Sequence, residues 1–367
     1  MRLVVTGGGT GGHINPAIAI SNEVKQRYKD SEILFIGTKR GMESRLVPEA
    51  GYDIKYINVE GFTKKSKIHN ASVLLKFSVG VLKCIGILGK FKPDAVVGTG
   101  GYVSASAALA AHIMKIPVLI HEQNAVAGKT SKMLSKYADK ICVSFDDVNV
   151  LKCPEKTVIT GNPVRAAFKT VIPREARGEL GFSSDIPLVV CVSGSLGALK
   201  INEYMTEFIK KHHKDDIQMV LVTGDQYFEN AKNTLKEANI NIESDRVKVL
   251  PYSNDMEKYL AAADLVISRS GATFMSEIAY LGKPSILIPS PNVAENHQEI
   301  NADSFVKNKA ALKLLEENLT YEKFEKEILK LVNDKYELQV MSFNAGKSGV
   351  KNSAELIVNE IEKIIKK

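Results

Sequence analysis

The chain has 367 residues, 44% of them hydrophobic and 25% charged, and a formal net charge of +7. That make-up belongs to a soluble globular protein of about two domains, and it leaves room for an anionic partner (nucleic acid, membrane surface or phosphorylated substrate) or for a plain solvated basic surface. Four scattered cysteines, Cys84, Cys142, Cys153 and Cys191, without a C-x-x-C pair, argue against a disulfide framework or a zinc site and for a reducing cytosolic compartment.

The apolar start, Leu3–Val5, is too short for a signal peptide and runs straight into a glycine loop. No segment is expected to cross a bilayer. Short apolar runs then alternate with helical stretches. Strands are predicted at Leu3–Val5, Ile33–Ile36, Ala95–Val97, Pro117–Ile120, Ile141–Val143 and Thr157–Ile159, and in the second half at Leu188–Val192, Met219–Thr223, Val247–Val249, Leu265–Ile267 and Ser285–Ile288. Near-continuous apolar strands between helices indicate parallel sheets buried on both faces, hence doubly wound α/β domains.

Two pseudo-repeats point to a pair of similar domains. LVVTGGGTGGHINPAIAI resembles LVVCVSGSLGALKINEYM, and DAVVGTGGYVSASAALAAHIMKIPVLI resembles DLVISRSGATFMSEIAYLGKPSILI. The loop TGNPVR, Thr160–Arg165, marks the boundary by its Gly, Asn and Pro. The division is placed at 1–162, 163–340 and a C-terminal segment 341–367. Near the end, NSAELIVNEIEKIIKK reads as an amphipathic helix that Asn352 can cap, with Glu355 three residues on as in a capping box.

The loop TGGGTGGHINP, Thr6–Pro16, contains a G-x-G-x-x-G match at Gly7, Gly9 and Gly12. Glycines between a strand and a helix let backbone N–H groups approach an anion at the positive helix end. A dinucleotide site also needs a carboxylate closing the second strand. Here that strand, EILFIGTKRG, ends in Gly37, Thr38, Lys39 and Arg40. The loop is therefore expected to hold another phosphate, or only to permit tight packing. His13, in the first turn of the following helix, is a candidate proton acceptor or a packing residue.

A second loop of the same form is GTGGYVSASAALAA, Gly98–Ala111. HEQNAVAG, His121–Gly128, follows a strand and offers Glu122 as a candidate base and Asn124 as a hydrogen-bonding partner for a sugar. SGSLGA, Ser193–Ala198, opens a helix where Ser195 and loop amides can hold a diphosphate; the P-loop pattern is absent. After Ser268 a Ser-Gly loop leads into a helix carrying Glu277, a double acceptor suited to ribose hydroxyls. No D-x-D follows a strand to carry a metal; Asp146-Asp147 and Asp215-Asp216 read as cap or turn residues. Between Lys64 and Lys92, lysines flank an apolar helical pattern that includes Leu74, Phe77 and Val81. Either this face meets a membrane surface, or the helix is a crossover packed on the sheet.

Taken in order, TGGGTGGHINPAIAI, GTGGYVSASAALAA, HEQNAVAGKTSKMLS, GNPVR, SGSLGA and SRSGATFMSEI with GKPSILIPSP and NHQEINA closely resemble the MurG family over nearly the whole chain. The resemblance implies a GT-B fold, two Rossmann-like domains facing a cleft, with the C-terminal helix returning to the first. It implies inverting transfer of GlcNAc from UDP-GlcNAc to the C4 hydroxyl of undecaprenyl-pyrophosphoryl-MurNAc-pentapeptide, at the cytoplasmic face of the cell membrane. A peripheral attachment, no nucleic-acid partner and no cofactor or metal are implied with it. Carried over by motif, Thr10, Gly11, Gly12 and Asn124 lie on the donor-sugar side, and Arg165 and Ser195 near the diphosphate and uridine. Ala272, Thr273, Phe274, Met275, Ser276 and Glu277 hold the nucleotide, Gln298 contacts GlcNAc, and the backbone at Ser253 reads uracil. The base remains His13 or Glu122. A related GT-B enzyme with another lipid acceptor, or a UDP-GlcNAc epimerase, shares parts of this pattern.

Overall fold

The computed structural model describes residues 1–61, 67–145, 150–194 and 197–366. Ser195 and the Asp146-Asp147 pair lie outside the described residues. The chain forms two compact units: Met1–Arg165 with Val350–Lys367, and Ala166–Gly349.

The first unit runs β1 (Arg2–Thr6), α1 (Gly11–Arg27), β2 (Glu32–Gly37), α2 (Glu43–Glu49), β3 (Asp53–Tyr56), α3 (Lys67–Phe91), β4 (Ala95–Gly98), α4 (Tyr102–Ile113), β5 (Val118–Glu122), α5 (Lys129–Leu134), β6 (Lys140–Val143) and β7 (Thr157–Ile159). Its strands form one parallel sheet in the order β3-β2-β1-β4-β5-β6-β7. Leu3, Val4 and Val5 of β1 and Val96 and Val97 of β4 are wholly buried, because helices cover both faces.

The second unit contains α6 (Ala167–Thr170), α7 (Pro173–Glu179), β8 (Leu188–Val192), α8 (Leu199–His212), β9 (Gln218–Val222), α9 (Asp225–Glu237), β10 (Val247–Leu250), α10 (Met256–Ala262) and β11 (Leu265–Ser268). It continues with α11 (Ala272–Leu281), β12 (Ser285–Leu287), α12 (His297–Lys307), β13 (Ala311–Lys313), α13 (Tyr321–Val332) and α14 (Lys335–Ser348). Its parallel sheet has the order β10-β9-β8-β11-β12-β13. The strands β1 and β4 of the first sheet and β8 and β11 of the second hold the same central positions, as the pseudo-repeats require.

β3 and β13 were not legible as strands. Both are short, partly buried sheet edges; β3 alternates charged and apolar residues, and the apolar stretch around β13 is broken by Lys313.

The domain limits differ from the sequence reading at both crossings. Pro163–Arg165 stay with the first unit, and residues 341–349 complete α14 in the second, where Ser342 Oγ donates to Gly282 O (2.7 Å). Only Val350 onward returns, as α15 (Ser353–Ile365). Its Ile357, Val358, Ile361 and Ile364 join Leu3, Val5, Ile14, Ile20 and Phe35 in one core, each contributing about 1.5–3 kcal/mol when fully buried. Asn352 takes the N-cap position of α15, but its side chain makes no cap hydrogen bond. The end of the helix is held instead by Glu362, which accepts from Arg27 Nη1 and Tyr28 OH, both at 2.8 Å.

The helix α3 overturns one expectation. Asn70–Phe91 has 22 residues and a mean hydropathy of 1.9, long and apolar enough to cross a bilayer. Its Val73, Val81, Cys84 and Leu88 are nevertheless buried in the unit, and it packs along α4. Val81 thus belongs to the core, and Phe77 is partly buried against it. The outward stripe is Leu75, Val79 and Leu82 beside Leu74, at 67%, 44%, 67% and 56% exposure.

Candidate active site

In the first unit the strand order reverses direction between β1 and β4, so their following loops diverge at the carboxyl ends of the strands, where open α/β sheets bind ligands. Three loops meet there. The Gly8 N–H donates to Gly100 O (3.2 Å) and Thr99 Oγ1 donates to His13 O (2.7 Å), joining the β1 and β4 loops. Gln123 Nε2 donates to Thr99 O (2.8 Å), bringing in the β5 loop. Close approach explains the glycines: a Cβ on Gly100 would lie 2.6 Å from His13 Cδ2, and one on Gly101 2.5 Å from Gly8 O. Both have left-handed φ, 117° and 80°.

α1 begins at this crossing. Its N-cap Thr10 is exposed and makes no side-chain cap, and no acidic residue lies in its first turn. Thr10, Gly11 and Gly12 therefore present a helix N-terminus that favours an anion. His13 is fixed by Gly8 O, 2.9 Å from Nδ1. A carbonyl only accepts, so Nδ1 carries a hydrogen, and in the neutral ring Nε2 is the nitrogen with the lone pair.

Glu122 is used differently from the expectation. It is 3% exposed, its Oε1 accepts from the Asn124 N–H (3.0 Å) and Nδ2 (3.2 Å), and its Oε2 accepts from the Gly128 N–H (3.0 Å). The carboxylate shapes the loop 124–128 and aims Asn124; it is not turned outward to take a hydroxyl proton. Beneath it His121 is buried, and burial holds its imidazole below its ordinary pKa and neutral. Its Nε2 donates to Gly161 O (3.0 Å) and its Nδ1 accepts from Gln123 Nε2 (2.9 Å). That network ties β5 to the segment leading to Arg165, the half-buried last residue of this part of the unit.

One residue escaped the sequence reading. Glu43, first in α2, is 1% exposed and accepts from Thr38 N (2.8 Å), Thr38 Oγ1 (2.6 Å) and Gly9 N (3.0 Å). Burial pushes its carboxyl up, but the hydrogen bonds from Thr38 and Gly9 outweigh that and hold it below the usual carboxylate range. The second strand does lack a terminal carboxylate; one six residues past Gly37 reaches back to the glycine loop. The flanking Gly37 and Gly41 were the available signal.

In the second unit the corresponding reversal lies between β8 and β11. Gly271 caps α11 with extended backbone, and no acidic residue lies in the first turn, so this helix N-terminus favours an anion. Thr273, Phe274 and Ser276 are partly exposed, and Ser276 Oγ donates to Ala272 O (2.9 Å). Met275 is wholly buried and Ala272 5% exposed, so their side chains pack the helix on the sheet and only their backbone can meet a nucleotide. Glu277 lies one turn further and is 3% exposed.

Next to α11, Ser270 Oγ donates to Gln298 O (2.7 Å), Asn301 Nδ2 to Ser270 O (3.1 Å) and the Ser290 N–H to Gln298 Oε1 (2.9 Å). Gln298 is thus fixed at the start of α12, after two residues with left-handed φ, Glu295 at 54° and Asn296 at 51°. Arg269, ion-paired with Glu316, braces the same loop through Ile288 O and Pro289 O, both at 3.1 Å. Ser253 Oγ accepts from the Asp255 N–H (3.1 Å), so its side chain serves the turn before α10.

Residues 3–143 match the glycosyltransferase family 28 N-terminal domain and residues 188–357 the glycosyltransferase family 28 C-terminal domain. The chain belongs to glycosyltransferase family 28. It is similar to other transferases along its full length. The UDP-N-acetylglucosamine–N-acetylmuramyl-(pentapeptide) pyrophosphoryl-undecaprenol N-acetylglucosamine transferase of Thermoanaerobacter sp. (strain X514) is 44% identical over 99% of this chain and 100% of its own. The protein of that name from Listeria monocytogenes serovar 1/2a is 39% identical over 100% of both. The crystal structure of Acinetobacter baumannii MurG, 28% identical, covers 99% of each chain with a TM-score of 0.78. A UDP-GlcNAc 2-epimerase from Neisseria meningitidis, bound to UDP-GlcNAc, is 15% identical over 99% of this chain and 100% of its own with a TM-score of 0.71, a likeness of fold. Both glycine-loop crossings described above fall within or beside the matched family 28 domains.

Proposed function

We propose that this chain transfers GlcNAc, with inversion, from UDP-GlcNAc to the C4 hydroxyl of MurNAc in undecaprenyl-pyrophosphoryl-MurNAc-pentapeptide. The observation that carries the reading is the 44% identity along the whole length to a transferase named for that reaction. The local chemistry supports it. His13 Nε2 takes the proton of the attacking hydroxyl as the new bond to the anomeric carbon forms and the bond to the donor diphosphate breaks. The amides at Thr10–Gly12 suit the lipid's diphosphate, and Asn124 the sugar. The first turn of α11 suits the donor phosphates, together with Arg165; the leaving group's charge is met by helix ends and a guanidinium, without a metal. Glu277 takes the ribose hydroxyls and Gln298 the GlcNAc. The exposed stripe of α3, near Lys83 and Lys90, rests on the anionic cytoplasmic face of the membrane, where the lipid acceptor resides.

The test is to incubate the protein with radiolabelled UDP-GlcNAc and a short-chain analogue of the lipid acceptor, with and without a chelator. Labelled disaccharide lipid is expected in both. Donor binding without any labelled product would overturn the proposal. His13→Gln should lower kcat about 10²–10⁴-fold with donor Kd retained; an unchanged kcat would remove His13 from its role.

A further inference from the structure

The three glycines Gly8, Gly37 and Gly41 all make way for one carboxylate. A Cβ on Gly8 would stand 2.7 Å from Glu43 Oε1, and one on Gly37 would stand 2.7 Å from Glu43 Cγ; a Cβ on Gly41 would overlap the carboxylate. A charge set in so closely shaped a place, at 1% exposure, needs a reason beyond capping α2.

The reason lies in the peptide it touches. Glu43 Oε2 accepts from the N–H of Gly9, and the carbonyl of the same peptide unit belongs to Gly8. That carbonyl accepts from His13 Nδ1 at 2.9 Å. Carboxylate, peptide and imidazole therefore form one line of hydrogen bonds. In a trans peptide the N–H and C=O point in opposite directions, so the anion at one end enriches the carbonyl oxygen at the other. A richer oxygen holds the Nδ1 proton more firmly.

We infer that Glu43 is a positioning residue that sets the tautomer and orientation of His13 through the Gly8–Gly9 peptide. The inference deepens the proposed function and rests on His13 being its base. The arrangement does for His13 what a carboxylate bonded directly to Nδ1 does in a hydrolase triad, with a peptide unit inserted between them. Thr38 completes it by supplying the carboxylate with two further donors, so that the charge stays in place when it faces the loop.

Nitrogen-15 NMR of the histidine-labelled full chain tests this, with the His13 signals identified by their loss in His13→Gln. In the native protein near neutral pH, His13 is expected with its proton on Nδ1, whereas free imidazole side chains favour Nε2. Finding the proton on Nε2 would overturn the inference without any variant. Glu43→Gln should shift His13 toward a mixture of tautomers and lower kcat about ten- to a hundredfold, with KM for both substrates unchanged. Val47→Ala, which loosens the same helix α2 through its buried core contact, is the control for general destabilisation and should leave tautomer and kcat as they are. If Val47→Ala reproduces the effects of Glu43→Gln, or if Glu43→Gln changes neither reading, Glu43 is only a structural cap. A native Nδ1 tautomer in a protein that forms no disaccharide lipid would instead retain the relay and reject the proposed reaction.

Discussion

Cys84, Cys142 and Cys191 lie wholly buried, and burial pushes each thiol up to about 12. Cys153 is only partly buried. A thiol reagent that needs the thiolate should therefore modify Cys153 first in the native protein and all four cysteines after denaturation. Two or more fast equivalents in the native state would contradict this burial. At this scale the sequence announced the residues that sit on loops with a recognisable pattern, such as His13, Asn124 and the start of α11. It did not announce Glu43, because the partner that gives Glu43 meaning is 34 positions away, at Gly9. It also offered Glu122 as a base, from its residue type and its place at the carboxyl end of a strand. The bonds that bind its carboxylate into its own loop arise from the turn at 124–128, which residue type does not reveal.

For single elements, α3 is the instructive case. Periodicity left two readings of this helix, a membrane-facing surface and a crossover packed on the sheet. The helix has two different apolar faces: Val73, Val81, Cys84 and Leu88 point inward, Leu75, Val79 and Leu82 outward. An apolar residue on either face looks alike in a linear pattern, so periodicity does not tell the inward Val81 and Phe77 from the outward Leu75 and Leu82. The double substitution Leu75→Asp with Leu82→Asp should abolish sedimentation with anionic phospholipid vesicles while thermal unfolding stays close to that of the native protein, since both sites are two-thirds exposed. Undiminished vesicle binding would assign membrane contact elsewhere. The strands follow a similar logic. Central ones, buried on both faces, are apolar throughout and were readable; Asp53–Tyr56 alternates charge and apolar character at a sheet edge and was not.

Across the whole molecule, the repeated strand order was foreshadowed by the pseudo-repeats, whereas the second crossing, expected at residue 341, falls at Val350. Gly349 and Asn352 separate α14 from α15 in the sequence, but which unit residues 341–349 join is decided only by packing. The docking of α15 has a measurable electrostatic part. Glu362 is held below the ordinary carboxylate value of 4.5 by the hydrogen bond from Arg27, with Tyr28 adding to it and burial opposing. A carboxyl whose folded pKa is lowered stabilises the fold above its unfolded value, and that stabilisation is lost as pH falls through the folded value. Glu362→Gln should thus cost about 1 kcal/mol at pH 7, discounted for its partial exposure. The difference from the native protein should shrink as pH drops below 4.5. A gap that stays constant or widens in acid would show that the charge does not hold the helix.

The return of α15 also sets an order of events during synthesis. The core of the first unit includes Ile357, Val358, Ile361 and Ile364, which are made after the whole of the second unit. Between Arg165 and Val350 a ribosome must build the entire second unit, which takes on the order of ten to forty seconds at cellular elongation rates. For that interval Ile14 and Ile20 on α1 lack their final cover, in a segment that also carries the glycine loop and His13. A chain broken off early therefore leaves the first unit with an open apolar face. The glycine loop and the start of α1 become fully supported only after Ile364 has been made and docked.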